Sequence, residues 1–307
     1  MKKFLSIALA LLMVCVMLPV VALATEKTAS TYEELKSAIS TANDGDTIKL
    51  LADIDLSQTI TVNKAITLNM NGKKLYNTSD LWDKPTAEAD NWSLISVRGS
   101  GNLTITGNGT FAAKENDCYA VDVQESATVT IKNGTFIGNI HAVYVFAGTA
   151  NVEGGTYSVQ QKYPDPAKGD EFVLNCYDAN RANGTARINV TGGTFKNFNP
   201  ADNKAEGEGN NFADNSLVVQ KNNTVQNNDY YVGNAANEVI AAASKGEEIF
   251  VLNGTTLTNV PAGVIIQNRT GDRITVNGKD VELTGDAGYT VPASNITIIV
   301  PGDTTPA

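Results

Sequence analysis

At 307 residues the chain can hold one large domain or two. Charged residues make up 18% and aromatics 7%, with 26 glycines, a balance that suits many short strands with tight turns better than a helical protein. The formal net charge is −10, and it falls to −12 if a leader carrying Lys2 and Lys3 is removed. An acidic chain of this kind is a poor partner for nucleic acid or anionic lipid, which call for basic patches.

Residues 1–24 have the pattern of a signal peptide. Lys2-Lys3 form a basic start, Phe4 to Val21 is almost wholly apolar, and Ala22-Leu23-Ala24 offers a small-x-small cleavage site. An uncleaved anchor is the alternative, since the apolar run is long enough to span a bilayer. No later stretch is that apolar, so the mature chain is expected to be exported, secreted or at the cell surface, with no membrane contact after cleavage. In TYEELKSAIS, Thr31 is placed to cap a helix, with Glu34 three residues on as in a capping box. Leu35, Ala38 and Ile39 supply its apolar stripe, and Asn43-Asp44-Gly45 stops it. The strands TIKLLADIDL, TITVN and AITLNMNGKKL follow.

Four alternating segments then end in a Gly-Thr-aromatic corner: LTITGNGTF, TVTIKNGTF, ANVEGGTY and RINVTGGTF. The corner aromatics Phe111, Phe136, Tyr157 and Phe195 are 25, 21 and 38 residues apart, the longest step carrying an extra loop from Gln160 to Glu171. Steps of about 20–25 residues match one coil of a parallel β-solenoid. A second strand precedes each corner strand: SLISVR, YAVDVQ, AVYVF and FVLNCY. Because residues two apart share a face, Ile95, Val121, Val143 and Leu174 form one inward column. Val97, Val123, Val145 and Cys176 form the next. In the corner strands the columns are Leu103, Val129, Ala150, Ile188 and Ile105, Ile131, Val152, Val190. The aromatics are expected to stack as a ladder, with Gly109, Gly134, Gly155 and Gly193 bending the backbone where a Cβ would obstruct.

Beyond a polar stretch from Asn197 to Asn215, ANEVIAAASKGEEIFVLNGTTL repeats the order helix, Gly-acidic turn, apolar strand. The sequence therefore divides into a leader (1–24), a β-helix (25–232), a short second β module with a leading helix (233–300) and a linker-like tail (301–307). The expected class is all-β, a right-handed parallel β-helix with an N-terminal capping helix, followed by the second module. The handedness follows the general rule for parallel crossovers.

The helix stripe, the Gly-acidic turn, TIKLLADIDL…TITVNKAITLNMNGKKL and the repeated corners together resemble the right-handed parallel β-helix proteins of the pectate-lyase-like superfamily. More narrowly they resemble adhesin-like surface proteins exported by gut-type Gram-positive bacteria. GGTFKNFNPADNKAEGEGNNF resembles a segment found at the end of such helices, some of them in phage-borne structural proteins. The resemblance spans about Thr31 to Asp229 and speaks to fold more than activity, since the superfamily holds lyases, hydrolases, adhesins and fibres.

The outward columns of the preceding strands read Ser96, Asp122, Tyr144, Asn175 and Arg98, Gln124, Phe146, Tyr177. An inverting hydrolase needs two carboxylates about 6.5–9.5 Å apart, yet Asp122 faces no second acid in either column. An Asp122–Arg98 surface ion pair of little consequence is the expected reading. Loop acids such as Asp117, Glu125 or Asp178 leave a polysaccharide lyase or glycoside hydrolase with a loop-built site as an alternative. A phage-type fibre component is a second alternative, which the signal peptide disfavours. His141 is the only histidine and reads as a packing or surface residue. No catalytic residue, metal ligand or cofactor is assigned. The pairs Asp44/Asp46 and Asp53/Asp55 read as solvated turn carboxylates, and Cys118 and Cys176 as an unlikely disulfide. Tyr119, Tyr144, Phe146 and Tyr177, with Trp92 near their edge, offer rings beside Asp122 and Asn175. That is the usual surface for sugar recognition. The leading expectation is a non-catalytic exported module, with extracellular glycans or host surface components as partners through Asp122, Tyr144, Phe146, Asn175 and Tyr177.

Overall fold

The computed structural model describes residues 23–81, 93–115, 118–162, 172–201, 212–213, 217–224, 227–254, 256–282 and 287–293. The expected leader (all but its last two residues), Trp92, Asp117, most of the Gln160–Glu171 loop and the 301–307 tail lie outside them. The chain is all-β and dominated by long parallel sheets.

From Ile60 onward the chain visits three sheets in a fixed order, five times over. Ile60–Val62, Ser93–Val97, Tyr119–Val123, Val143–Val145 and Leu174–Cys176 form a first, five-stranded parallel sheet. Each is followed by a strand of a second sheet: Ala65–Asn69, Asn102–Thr106, Thr128–Ile131, Gly148–Val152 and Ala186–Val190. Each of those leads into a third: Lys74–Tyr76, Thr110–Ala112, Thr135–Gly138, Thr156–Val159 and Gly193–Lys196. Every strand thus pairs with its counterpart one circuit later, an arrangement compatible with a β-helix-like solenoid. The register is the one read from the sequence: Val121 pairs with Ile95 and Val143, and Val143 with Leu174.

Alternation explains the core. Ile95, Val97, Val121, Val123, Val143, Val145, Leu174 and Cys176 are buried, as are the two columns of the second sheet. Each aliphatic contributes roughly 1.5–3 kcal/mol when fully buried, and stacking makes the columns continuous along the fold. Phe111, Phe136, Tyr157 and Phe195 stack at 4.8, 5.1 and 5.1 Å with planes within 13° of parallel. All four are fully buried, and Phe198 caps the end at 6.2 Å. The Tyr157 hydroxyl donates to the Gly154 carbonyl at 2.6 Å.

The glycines beneath this ladder do two different jobs. Gly155 has φ +106°, and a Cβ there would sit 2.9 Å from the Gly134 carbonyl oxygen of the preceding circuit. Gly109 differs from the expected bend, for it lacks a positive φ. It is glycine for space, because a Cβ would lie 2.3 Å from that of Met70.

Helix α1 (Tyr32–Ser40) covers the first circuits with Leu35, Ala38 and Ile39. Its cap forms as the spacing suggests, Glu34 N–H donating to Thr31 Oγ1 at 3.2 Å, while the Glu34 carboxylate accepts from Ser30 N–H at 2.7 Å. The aspartates after it are not idle solvated groups, contrary to the expectation. Asp44 accepts from Ala65 N–H, Asp53 from Lys74 N–H and Asp55 from Thr78 N–H, each at 2.9 Å. Asp46 accepts from Thr25 N–H at 2.8 Å and Asn43 N–H at 2.9 Å. These four carboxylates tie one circuit to the next, because a parallel stack places residues about 21 apart side by side.

The far end departs from the sequence expectation of uniformly parallel coils. Asn227–Val232 pairs antiparallel to Gly193–Lys196, Leu217–Thr224 antiparallel to it, and Glu248–Val251 antiparallel again. Alternate side chains of this shared sheet serve two cores. Val218 and Phe250 face the first core. Leu217, Val219, Ile249 and Val251 join Val239 and Ile240 of the helix Ala236–Ala242 in a second. The third sheet therefore runs unbroken from the stack into the C-terminal module.

Candidate functional site

The outer face of the five-stranded sheet carries the polar and aromatic residues singled out above. Register aligns Thr61, Ser96, Asp122, Tyr144 and Asn175 in one column. Arg98, Gln124, Phe146 and Tyr177 follow two residues on.

Asp122 points away from the core columns but is not on the surface, being only 1% exposed. Its carboxylate accepts from Ser96 Oγ at 3.0 Å and from Gln124 Nε2 at 2.9 and 3.0 Å. Arg98 Nε donates to Ser96 Oγ at 2.8 Å, so the guanidinium is linked to the acid through the hydroxyl. The expected surface ion pair is thus a covered hydrogen-bond network. Low dielectric makes such a network costly to break once formed.

Asn175 is also buried and turns towards His141 rather than outward. His141 Nδ1 lies 2.7 Å from the Phe172 carbonyl oxygen, which can only accept, so Nδ1 carries the proton. Nε2 then accepts from Asn175 Nδ2 at 3.2 Å. Burial holds the imidazole neutral, its pKa pushed down to about 4 against the rise that backbone hydrogen bonds to Phe172 and Ile140 favour. The ring also stacks on Tyr144 at 5.4 Å and lies 5.1 Å from Tyr119, which is itself 4.9 Å from Tyr144. In the sequence His141 reads as a packing or surface residue, and the structure buries it. Its partnership with Asn175 depends on the next circuit, which no local signal announces.

Phe146 and Tyr177 are different. They stack on each other at 4.8 Å with planes 25° apart, and they are 39% and 44% exposed. Among the described residues they are the two exposed large aromatics. The sequence-predicted set therefore divides: Asp122 and Asn175 are buried in polar clusters, Tyr144 is half-buried against His141, and Phe146 with Tyr177 forms an open platform.

No family model, curated protein or solved structure matches this chain. The chemistry must be read from the side chains alone. Among the described residues no group of His, Cys, Asp and Glu is placed to hold a metal ion. Asp122 stands without a second described carboxylate in its own or the adjoining column, so the acid pair of a glycoside hydrolase is not assembled from these strands. Cys118 and Cys176 are separate, buried thiols, and burial pushes each pKa up to about 12. Neither is an activated nucleophile.

Proposed function

We propose that this chain is a non-catalytic, exported surface module of adhesin-like type that contacts glycans. Its scaffold is read as a right-handed parallel β-helix of pectate-lyase-like kind. The stacked circuits support that reading, as do the repeated Gly-Thr-aromatic corners and the basic, apolar, small-x-small pattern of residues 1–24. The observation that carries the contact is the exposed Phe146–Tyr177 stack. The pair lies directly after the strands Val143–Val145 and Leu174–Cys176, and groups anchored next to regular elements lose less freedom on binding than groups on long loops. Asp122 and Asn175 act from behind, fixing the sheet rather than touching the ligand.

Retention of the mature protein on a glycan array tests the reading. Selective binding that is lost in Phe146→Ala/Tyr177→Ala, with an unchanged melting curve, is expected. Depolymerisation of a polysaccharide panel, with or without calcium, would overturn the non-catalytic assignment. Absence of binding to any glycan would leave only a display role.

A further inference from the structure

We infer that the platform recognises a single terminal sugar ring of neutral charge, stacked on the free face of Tyr177, and not a chain laid along the sheet. This rests on the glycan reading above and narrows it to one ring position. Leu174–Cys176 is the edge strand of the five-stranded sheet, and among the described residues no further strand pairs beyond it. The corner ladder solves the same end problem differently, since Phe198 closes it at 6.2 Å from Phe195. Among the described residues the outer stack has no such cap: one face of Tyr177 meets Phe146 and the ring is 44% exposed. One strand spacing, about 4.8 Å, is also the separation at which a further flat ring would continue the stack.

The surroundings select the ring. After Tyr177 the chain turns into the short helix Asp178–Ala182, and Asn180 Nδ2 donates back to the Phe146 carbonyl at 2.6 Å, which fixes the platform. Asp178 is well exposed, and its carboxylate lies 3.9 Å from Arg181 Nη2, so the cation at this end already faces an anion. A carboxylated sugar would meet that acid. A neutral pyranose would put its C–H face on the ring and its hydroxyls towards Asp178 and the Tyr177 hydroxyl. Further sugars on the same chain would project past the end of the sheet and gain little.

The test uses the mature full chain with methyl glycosides of glucose, galactose and mannose, methyl galacturonide, and matched neutral trisaccharides. Saturation-transfer NMR and calorimetry read the binding. One neutral methyl glycoside should bind within about threefold of its trisaccharide. Tyr177→Ala should lose about tenfold or more, the size of one aromatic stacking contact. Tyr177→Phe should stay within about threefold. Affinity that climbs steeply with chain length, preference for the uronide, or unchanged binding by Tyr177→Ala would each overturn this inference while leaving glycan contact standing. Failure of every glycan to bind would remove both.

Discussion

Acidification from pH 7 should weaken this protein through one side chain. His141 is the only histidine, so it alone among the side chains ordinarily titrates between pH 5 and 7. In the fold it is buried, donates to the Phe172 carbonyl, accepts from Asn175 and keeps a pKa of about 4. The unfolded chain has it near 6.5. Between those values the unfolded chain binds the extra proton, so stability rises with pH across the window and is lost as pH falls. Each pH unit is worth about 1.4 kcal/mol, giving about 2 kcal/mol between pH 6.5 and 5 and about 3 kcal/mol by pH 4. Urea titrations at pH 7.5, 6.5, 5.5 and 5.0 would measure this for the native chain and for His141→Gln. Gln can still donate to the Phe172 carbonyl but has nothing to protonate. The native chain should lose about 2 kcal/mol relative to the variant over that range. Parallel pH profiles for the two proteins would refute the argument, because they would show His141 reachable by protons in the fold.

Other perturbations address separate parts of the structure. Asp122→Ala should cost about 2–4 kcal/mol by thermal or urea melts, since it strips the acceptor from Ser96 and Gln124 in a covered network; a change below about 0.5 kcal/mol would place Asp122 at the surface after all. Gly155→Ala should destabilise by about 2–3 kcal/mol, combining a left-handed backbone with a close approach to the Gly134 carbonyl; a neutral melt would mean the corner can relax. Tyr157→Phe should cost about 1 kcal/mol, the Gly154 hydrogen bond, and leave near-ultraviolet dichroism from the ladder nearly intact. A thiol reagent should label neither Cys118 nor Cys176 in native buffer and both in denaturant, as buried thiols with raised pKa require.

What the sequence conveys about this fold is periodic, and what it withholds is non-local. Period-two alternation together with the spacing of Phe111, Phe136 and Tyr157 fixes which residues pair, and the observed register of Val121 with Ile95 and Val143 agrees. The Thr31–Glu34 cap is equally local. Alternation gives direction but says nothing about what covers a face, so Asp122 and Asn175 read as exposed although both are buried. The inter-circuit bonds of Asp44, Asp53 and Asp55 reach 21 to 23 residues along the chain. They look like turn carboxylates until the stack is assembled. The antiparallel return at Asn227–Val232 is set by its pairing with Gly193–Lys196 and Leu217–Thr224, which its local sequence NNDYYV does not announce. Of the site residues, Phe146 and Tyr177 stand as expected on an open face. Tyr144 is drawn into the His141 cluster by a ring two positions upstream of Val143.

Length changes between successive circuits are confined to particular bends. The turns from the second sheet to the third occupy 70–73, 107–109, 132–134, 153–155 and 191–192, only two to four residues each, because the glycine corners leave little room. The connections from the third sheet back to the first span 77–92, 113–118, 139–142 and 160–173, so they tolerate several-fold differences in length with the register on either side kept. That margin is a natural place for diversification. Peptides grafted between Val159 and Leu174, or between Tyr76 and Ser93, would be held at two fixed points between paired parallel strands, and such segments could be exchanged without rebuilding the ladder.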